Sequence, residues 1–315
     1  MAGINNGQPE ATIGEPIRFG NDLDYEIEQH PISDRLLIRD TANEKVAYIR
    51  ADRGGEIGGD GVLIKALKES KPMNDTGRVY DTIQEAERKA SSWVFVPPGT
   101  YNESVEINTE GLTLQGCGYN TLINGGSFIS IITNSKNINI KNLSVKTTSG
   151  GGNNADGINT DTESSELTIE NVTVRDTDRH GIIVNQGSDN VIVNCTVESS
   201  DNTGIQTNNV DGSIVSHNNI SNSENGIAVY ATNCIVSNNI VKTSSVDNIQ
   251  YGSSTSGDSI IIGNRCLIAD RHNIRLFNTS NNIVANNRVS DAVSDDLSDD
   301  GTGTLLAGNL TGASN

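Results

Sequence analysis

The stretch "HNNISNSENGIAVYATNCIVSNNIV", residues 217–241, says nearly the same thing twice: Asn-Asn-Ile begins at Asn218 and again at Asn238, with one Gly-Ile between. Working outward, Gly-Ile or its equivalent recurs at Gly157, Gly181, Gly204, Gly226, Asn248, Asn273 and Asp296, in steps of 24, 23, 22, 22, 25 and 23 residues. A second anchor stands in each unit at Asn142, Asn171, Asn194, His217, Asn238, Asn264 and Asn286. Two residues before it comes an aliphatic position: Ile140, Ile169, Ile192, Val215, Val236, Ile262 and Val284. Three residues after it comes another: Val145, Val174, Val197, Ile220, Val241, Leu267 and Val289. Three columns in phase over seven units define an internal repeat.

A period near 23 residues leaves leucine-rich repeats or a parallel β-helix. The units lack a Leu-x-x-Leu-x-Leu spine and instead carry short β-branched segments between Gly, Asn, Asp and Ser, which read as strands and tight turns. Each coil then holds about three strands, and coils stack at about 4.8 Å. The Val and Ile columns face inward. Asn142, Asn171, Asn194, Asn238, Asn264 and Asn286 are expected to form a structural ladder at a bend, because Asn tolerates left-handed backbone and its amide bonds the next coil. Within the opening stretch this reading puts Asn218 and Asn219 outward in a turn, while Asn238 continues the stack and His217 interrupts it.

Residues 81–123, "DTIQEAERKASSWVFVPPGTYNESVEINTEGLTLQGCGYNTLI", resemble the entry segment of the right-handed parallel β-helix proteins of the pectate-lyase-like superfamily. The resemblance implies a short helix leading through a Val-Pro-Pro-Gly-x-Tyr turn into the first coils. A helix over 81–92 is expected on its own terms: Asp81 as cap, Gln84 reaching back, and Ile83, Ala86 and Ala90 on one face. It would cover the open end of the solenoid, where unpaired strand edges invite aggregation. The expected fold class is therefore all-β: a right-handed single-stranded parallel β-helix over 81–315, with coils at about 94–310 and the capping helix in front.

Residues 1–80 do not follow the repeat. "LDYEIEQ", "RLLIRD" and "KVAYIR" alternate as a small antiparallel meander, so 1–55 reads as a β anchor domain and the Gly-rich 56–80 as a linker. A small anchor before a β-helix is similar to tail spikes, fibres and vertex (turret) proteins of tailed viruses. That resemblance implies a virion-surface location and a homo-oligomer, a trimer first and a pentamer at a capsid vertex second. It also implies virion partners bound through 1–55 and a host-surface glycan or glycoprotein as ligand.

The charge balance is 22 basic against 40 acidic residues, a formal −18, which is the wrong sign for a phosphate-tracking nucleic-acid binder. Acidic excess with few large hydrophobes is also the composition of proteins soluble in high salt, and would suit a virus of a salt-loving archaeon. The N-terminal letters show no secretory signal, and no run approaches the roughly 20 apolar residues that span a bilayer. Cys117, Cys195, Cys234 and Cys266 lack zinc-site spacing and are expected as buried free thiols. No cofactor is implied.

The superfamily contains lyases, hydrolases and epimerases acting on polysaccharides, so the catalytic candidates follow. "DRHGI" at Asp178 and "DRHNI" at Asp270 each put an acid, an arginine and a histidine before a strand. In the column just ahead of that strand stand His180, Thr203, Asn225, Asp247, His272 and Asp295. Asp247 and His272 then lie on adjacent coils, where a carboxylate orients a histidine for acid–base work. Asp176 and Asp178 with Asp201 are the carboxylates that neighbouring coils would bring across a sugar site. The competing reading makes these a solvated turn. "VSDDLSDDGTG" offers Asp295, Asp296, Asp299 and Asp300 as oxygen ligands for a cation, against a solvated terminal turn. Of the Asn-x-Ser/Thr sequons, Asn278 and Asn309 are the ones expected to be exposed. Two functions remain: a virion-surface recognition protein, or a polysaccharide lyase or glycoside hydrolase.

Overall fold

The computed structural model describes residues 70–147, 155–160, 165–252 and 256–312, together with the backbone of four strands nearer the N-terminus. Those four, Ile17–Phe19, Tyr25–Gln29, Arg35–Asp40 and Glu44–Arg50, pair in sequence order as an antiparallel meander. The strand at Ile17–Phe19 adds one member to the expected three. Residues 56–69 of the expected linker lie outside the described residues. Within its remainder, Met73–Asn74 pairs antiparallel with Trp93–Phe95, so this part of the chain belongs to the solenoid wall.

From Trp93 onward the chain is a right-handed parallel β-solenoid of about nine turns. Each coil contributes to three parallel sheets. The first runs from Trp93–Phe95 and Thr113–Gln115 through Val191–Val193, Ile214–Ser216, Ile235–Ser237, Ile260–Ile262 and Ile283–Ala285 to Leu305–Ala307. The second starts at Gly99–Tyr101 and ends at Leu310–Gly312. The third starts at Val105–Ile107 and ends at Asp295–Thr302.

The core is the stack of inward columns. Ile158, Ile182, Ile205, Ile227, Ile249 and Ile274 are all fully buried at the third sheet. Gly157, Gly181, Gly204 and Gly226 precede the first four of these. A Cβ there would lie 2.5 to 2.7 Å from the carbonyl oxygen of the equivalent residue one coil on, so only glycine permits that approach. The expected first- and second-sheet columns hold except in one coil. There the inward residues are Ile261 and Cys266, not Ile262 and Leu267. The bend residue of that coil is Gly263 (φ +68°), so the sequence anchor at Asn264 was one residue late.

That slip exposes a larger correction. The bend column, Asn142, Asn171, Asn194, His217, Asn238, Gly263 and Asn286, is held at φ between 52° and 68°. It supplies left-handed backbone, which Asn and Gly adopt most readily. The hydrogen-bonded ladder is the next column: Asn218, Asn239, Asn264, Asn287 and Asn309. Each of the first four takes the following Asn Oδ1 on both its backbone N–H and its Nδ2, at 2.9 to 3.1 Å. Each amide also donates back to a first-sheet carbonyl, as Asn239 does to Val215 at 2.9 Å. Of the expected ladder only Asn264 belongs to it; Asn218, expected outward, is 1% exposed. Asn309 is committed to Val284 O and Asn287, whereas Asn278 is exposed as expected.

The helix spans Ile83–Glu87, shorter than expected, and its N-cap is Thr82, whose hydroxyl accepts from Glu85 N at 3.1 Å. Asp81 instead pairs with Lys71 at 2.7 Å. Glu103 accepts from Ile83 N and Gln84 N, and buried Glu87 accepts from Asn108 N and Thr109 N. The helix is thus tied to the first coil through its unpaired N–H groups, with Ile83 and Ala86 in the core. Cys195, Cys234 and Cys266 are buried free thiols, while Cys117 is only partly buried. No described helix is long and apolar enough to cross a membrane.

Candidate functional site

Just ahead of the third sheet the chain turns in from a bend, so one residue per coil stacks at the sheet edge. The register aligns Thr203 with Asn225, Asp247 with His272, and His272 with Asp295. The column extends further toward the N-terminus than the sequence reading had it and includes Asp156: Gly157 N–H bonds His180 O, and Gly181 N–H bonds Thr203 O. Asp156 was the residue missed. Its signal was available, because it precedes Gly157 as Asp247 precedes Asn248.

Asp247 is fully buried and receives Arg271 in a two-pronged contact, Nε to Oδ1 at 2.9 Å and Nη2 to Oδ2. Oδ1 also accepts the backbone N–H of His272 at 3.2 Å and lies 3.0 Å from its ring Nδ1. Arg275 Nη1 stands 3.9 Å from Oδ2. Burial pushes the Asp247 carboxyl up, but hydrogen bonds from Arg271 and His272 outweigh it and hold the group below its ordinary value. An ionised carboxylate only accepts, so in the neutral imidazole Nδ1 carries the proton and Nε2 carries the lone pair.

Around this cluster, the Arg275 guanidinium lies over the Phe277 ring at 4.9 Å, a cation–π contact. Tyr230 is half-buried beside it. Burial first, then the charges of Asp247 and Glu224, push its phenol up. Arg275 and Phe277 alternate with inward Ile274 and Leu276 on one strand, His272–Ser280, which is why both reach the outer face.

The other arginine–histidine pair, Arg179 and His180, also meets a buried carboxylate. Arg179 Nε donates to Asp156 Oδ1 at 2.8 Å, Nη2 reaches Oδ2, and His180 N–H donates to Oδ1 at 3.0 Å. Here Asn159 Nδ2 fills the carboxylate at 2.6 Å. The His180 ring is buried with Nδ1 unpartnered, and burial lowers its pKa to about 4.

Asp176, Asp178 and Asp201 come together elsewhere, lining a cleft of about 380 Å³ with Lys146, Thr147, Thr177 and Ser199. That cleft sits at the bend after the second sheet. Asp178 Oδ2 is buried there without a hydrogen-bond partner. The four C-terminal aspartates do not gather as a terminal turn. Asp295, Asp296, Asp299 and Asp300 run along the last third-sheet strand. Asp296 closes a second internal amide chain, Asn248 to Asn273 to Asp296. No cluster of three or more His, Cys, Asp or Glu fit to hold a metal occurs among the described residues.

Residues 100–256 match the family model described as the right handed beta helix region; the chain is a right-handed parallel β-helix protein. Among solved structures it is similar to the A-module of the mannuronan C-5 epimerase AlgE6 of Azotobacter vinelandii, at 19% identity and TM-score 0.63, covering 72% of this chain and 70% of that one. It is also similar to DFA-IIIase from Arthrobacter chlorophenolicus A6 without its lid, at 14% identity and TM-score 0.58, over 80% and 76% of the two chains. A third is the Dettilon tailspike protein, at 15% identity and TM-score 0.51, over 70% of this chain and 54% of the tailspike. At these identities the likeness is one of fold, and the fold carries both enzymes and tailspikes. No curated protein matches the sequence.

Proposed function

We propose that the chain is a virion-surface recognition protein of the tailspike kind, held to the particle through 1–55 and binding a host-surface glycan on the third sheet. The observation that carries this reading is the group built on Asp247: a buried, charge-locked carboxylate that holds Arg271 and His272 beside outward Arg275, Phe277 and Tyr230. Flat aromatic faces next to fixed hydrogen-bond donors suit sugar rings and their hydroxyls. A cation at the centre of a chain of formal charge −18 favours an acidic sugar. Retention on immobilised acidic glycans tests it: the wild-type chain is expected to be retained and Arg275→Ala released. Equal retention of both would remove this face from the reading.

A second reading, a polysaccharide lyase or glycoside hydrolase, is favoured by the 3.0 Å contact of Asp247 with His272 Nδ1, which leaves Nε2 to take a proton from a bound sugar. Asp247 itself, held ionised, has no proton to donate. Depolymerisation of acidic polysaccharides that is lost in His272→Ala, with glycan retention kept, would replace recognition by catalysis.

A further inference from the structure

The first sheet turns an unusual face outward. From Val191 to Ala285 the middle residue of each strand is buried, at Ile192, Val215, Val236, Ile261 and Val284, so the flanking residues point to solvent; in the last strand Leu306 is exposed as well. Over six coils the leading one is Val191, Ile214, Ile235, Ile260, Ile283 and Leu305, paired in unbroken register. Ile283 is 38% and Leu305 57% exposed, and the four between neighbours remain partly exposed. Five steps of about 4.8 Å make this an aliphatic ridge about 24 Å long. None of the six strands carries a charged side chain, although the chain has 40 acidic residues. The other two sheets do, at Arg265, Arg288 and Lys242 on the second and Arg275 and Asp211 on the third.

We infer that this face is an interface between copies of this chain. Three features select a second copy as the occupant. A partner must present knobs at the coil spacing to interdigitate with the ridge, and an identical solenoid does so in every coil. One edge of the face is the bend column, whose exposed Asn194, Asn238 and Asn286 both donate and accept. An amide-edged aliphatic patch is complementary to itself, as a contact between copies requires. Copies of formal charge −18 also repel over most of their surface, so they approach most easily through a neutral face. Asp189 and Asp258 stand on the opposite edge, in the bend before the strands, which places the contact toward the amide side.

Sedimentation velocity of the full chain across a micromolar concentration series tests this. The wild-type protein is expected to sediment as an oligomer and Ile260→Asp as a monomer with unchanged far-UV circular dichroism. Lys242→Asp, which makes the chain still more acidic but lies on the second sheet, is expected to remain assembled. Should Ile260→Asp fail to fold, Ile260→Thr keeps the β-branched shape and is expected to weaken association at least tenfold. A wild-type chain that stays monomeric throughout, or an Ile260 variant that assembles like wild type, would overturn the inference.

Discussion

Asp156 with Arg179 and His180, and Asp247 with Arg271 and His272, are built from the same letters on the same sheet edge, four coils or about 19 Å apart. In both, a fully buried carboxylate clamps the arginine of the next coil. Beside the Gly157/Asn248 and Gly181/Asn273 differences, two outward positions separate them. Three residues after the aspartate stands Asn159 in one cluster and Gln250 in the other; three after the histidine stands Ile183 or Arg275. Asn159 occupies the Asp156 carboxylate and His180 sinks into the wall, its ring nitrogen unpartnered. Without that amide, Asp247 takes the His272 ring and draws Arg275 near. One clamp fastens two coils together. Its twin fastens them and also aims side chains outward.

The largest effect that bears on this contrast is stability. Asp156→Ala and Asp247→Ala each leave a part-buried arginine without its carboxylate, and each is expected to cost about 3 kcal/mol in urea denaturation. Costs differing by more than about 1 kcal/mol would mean that the shared geometry hides different roles.

Acid separates the two next. The folded pKa of His180, about 4, is below its unfolded value of about 6.5, so the unfolded chain binds more protons between them. The neutral ring's contribution is fully present above about pH 6.5 and is lost as pH falls toward 4, by up to about 3 kcal/mol. Asp247, held below its ordinary value, loses its own contribution only at lower pH. His180→Gln is therefore expected to flatten the stability profile between pH 6.5 and 4, as followed by urea denaturation at each pH.

Binding gives smaller free energies but the sharper distinction. Arg275→Ala is expected to weaken acidic-glycan binding at least tenfold, about 1.4 kcal/mol, with little change in stability. Ile183→Ala, at the matching position, is expected to leave affinity unchanged. Phe277→Leu removes the ring beneath Arg275 and should weaken binding by about 0.5 to 1 kcal/mol. Calorimetry on the three variants checks the ranking.

Much of the architecture was legible because the fold repeats its demands. The inward columns of the first two sheets hold only Val, Ile, Leu or Cys from Ile140 to Val289, so the period and two sheets could be read from letters. The ladder could not be placed to the residue. "Asn-Asn" at 218–219, 238–239 and 286–287 gives two amides in a row, one exposed and the other buried, and identity does not say which: the bend is Asn238 or Asn286 in two of the pairs but His217, ahead of the pair, in the third. The coil with Gly263 before Asn264 settles it, since glycine can replace the bend but not the amide. The Asp247–His272 contact was legible from adjacency. Arg275, Phe277 and Tyr230 were not, because their part depends on which way each strand residue faces.

The buried amide column has a metric consequence. Because each coil from Asn239 to Asn309 hands the same two acceptor contacts to the coil before it, and the sheets repeat the same pairing in the other coils, the length of the rod is quantised, and nothing in a single coil records how many others exist. Inserting one more 21-residue unit such as 218–238 between the two clamps would leave each clamp intact. It would also lengthen their separation from about 19 to about 24 Å. The stack is thus a ruler with one graduation per coil, and the distance between its two arginine–histidine marks is set by a count of repeats.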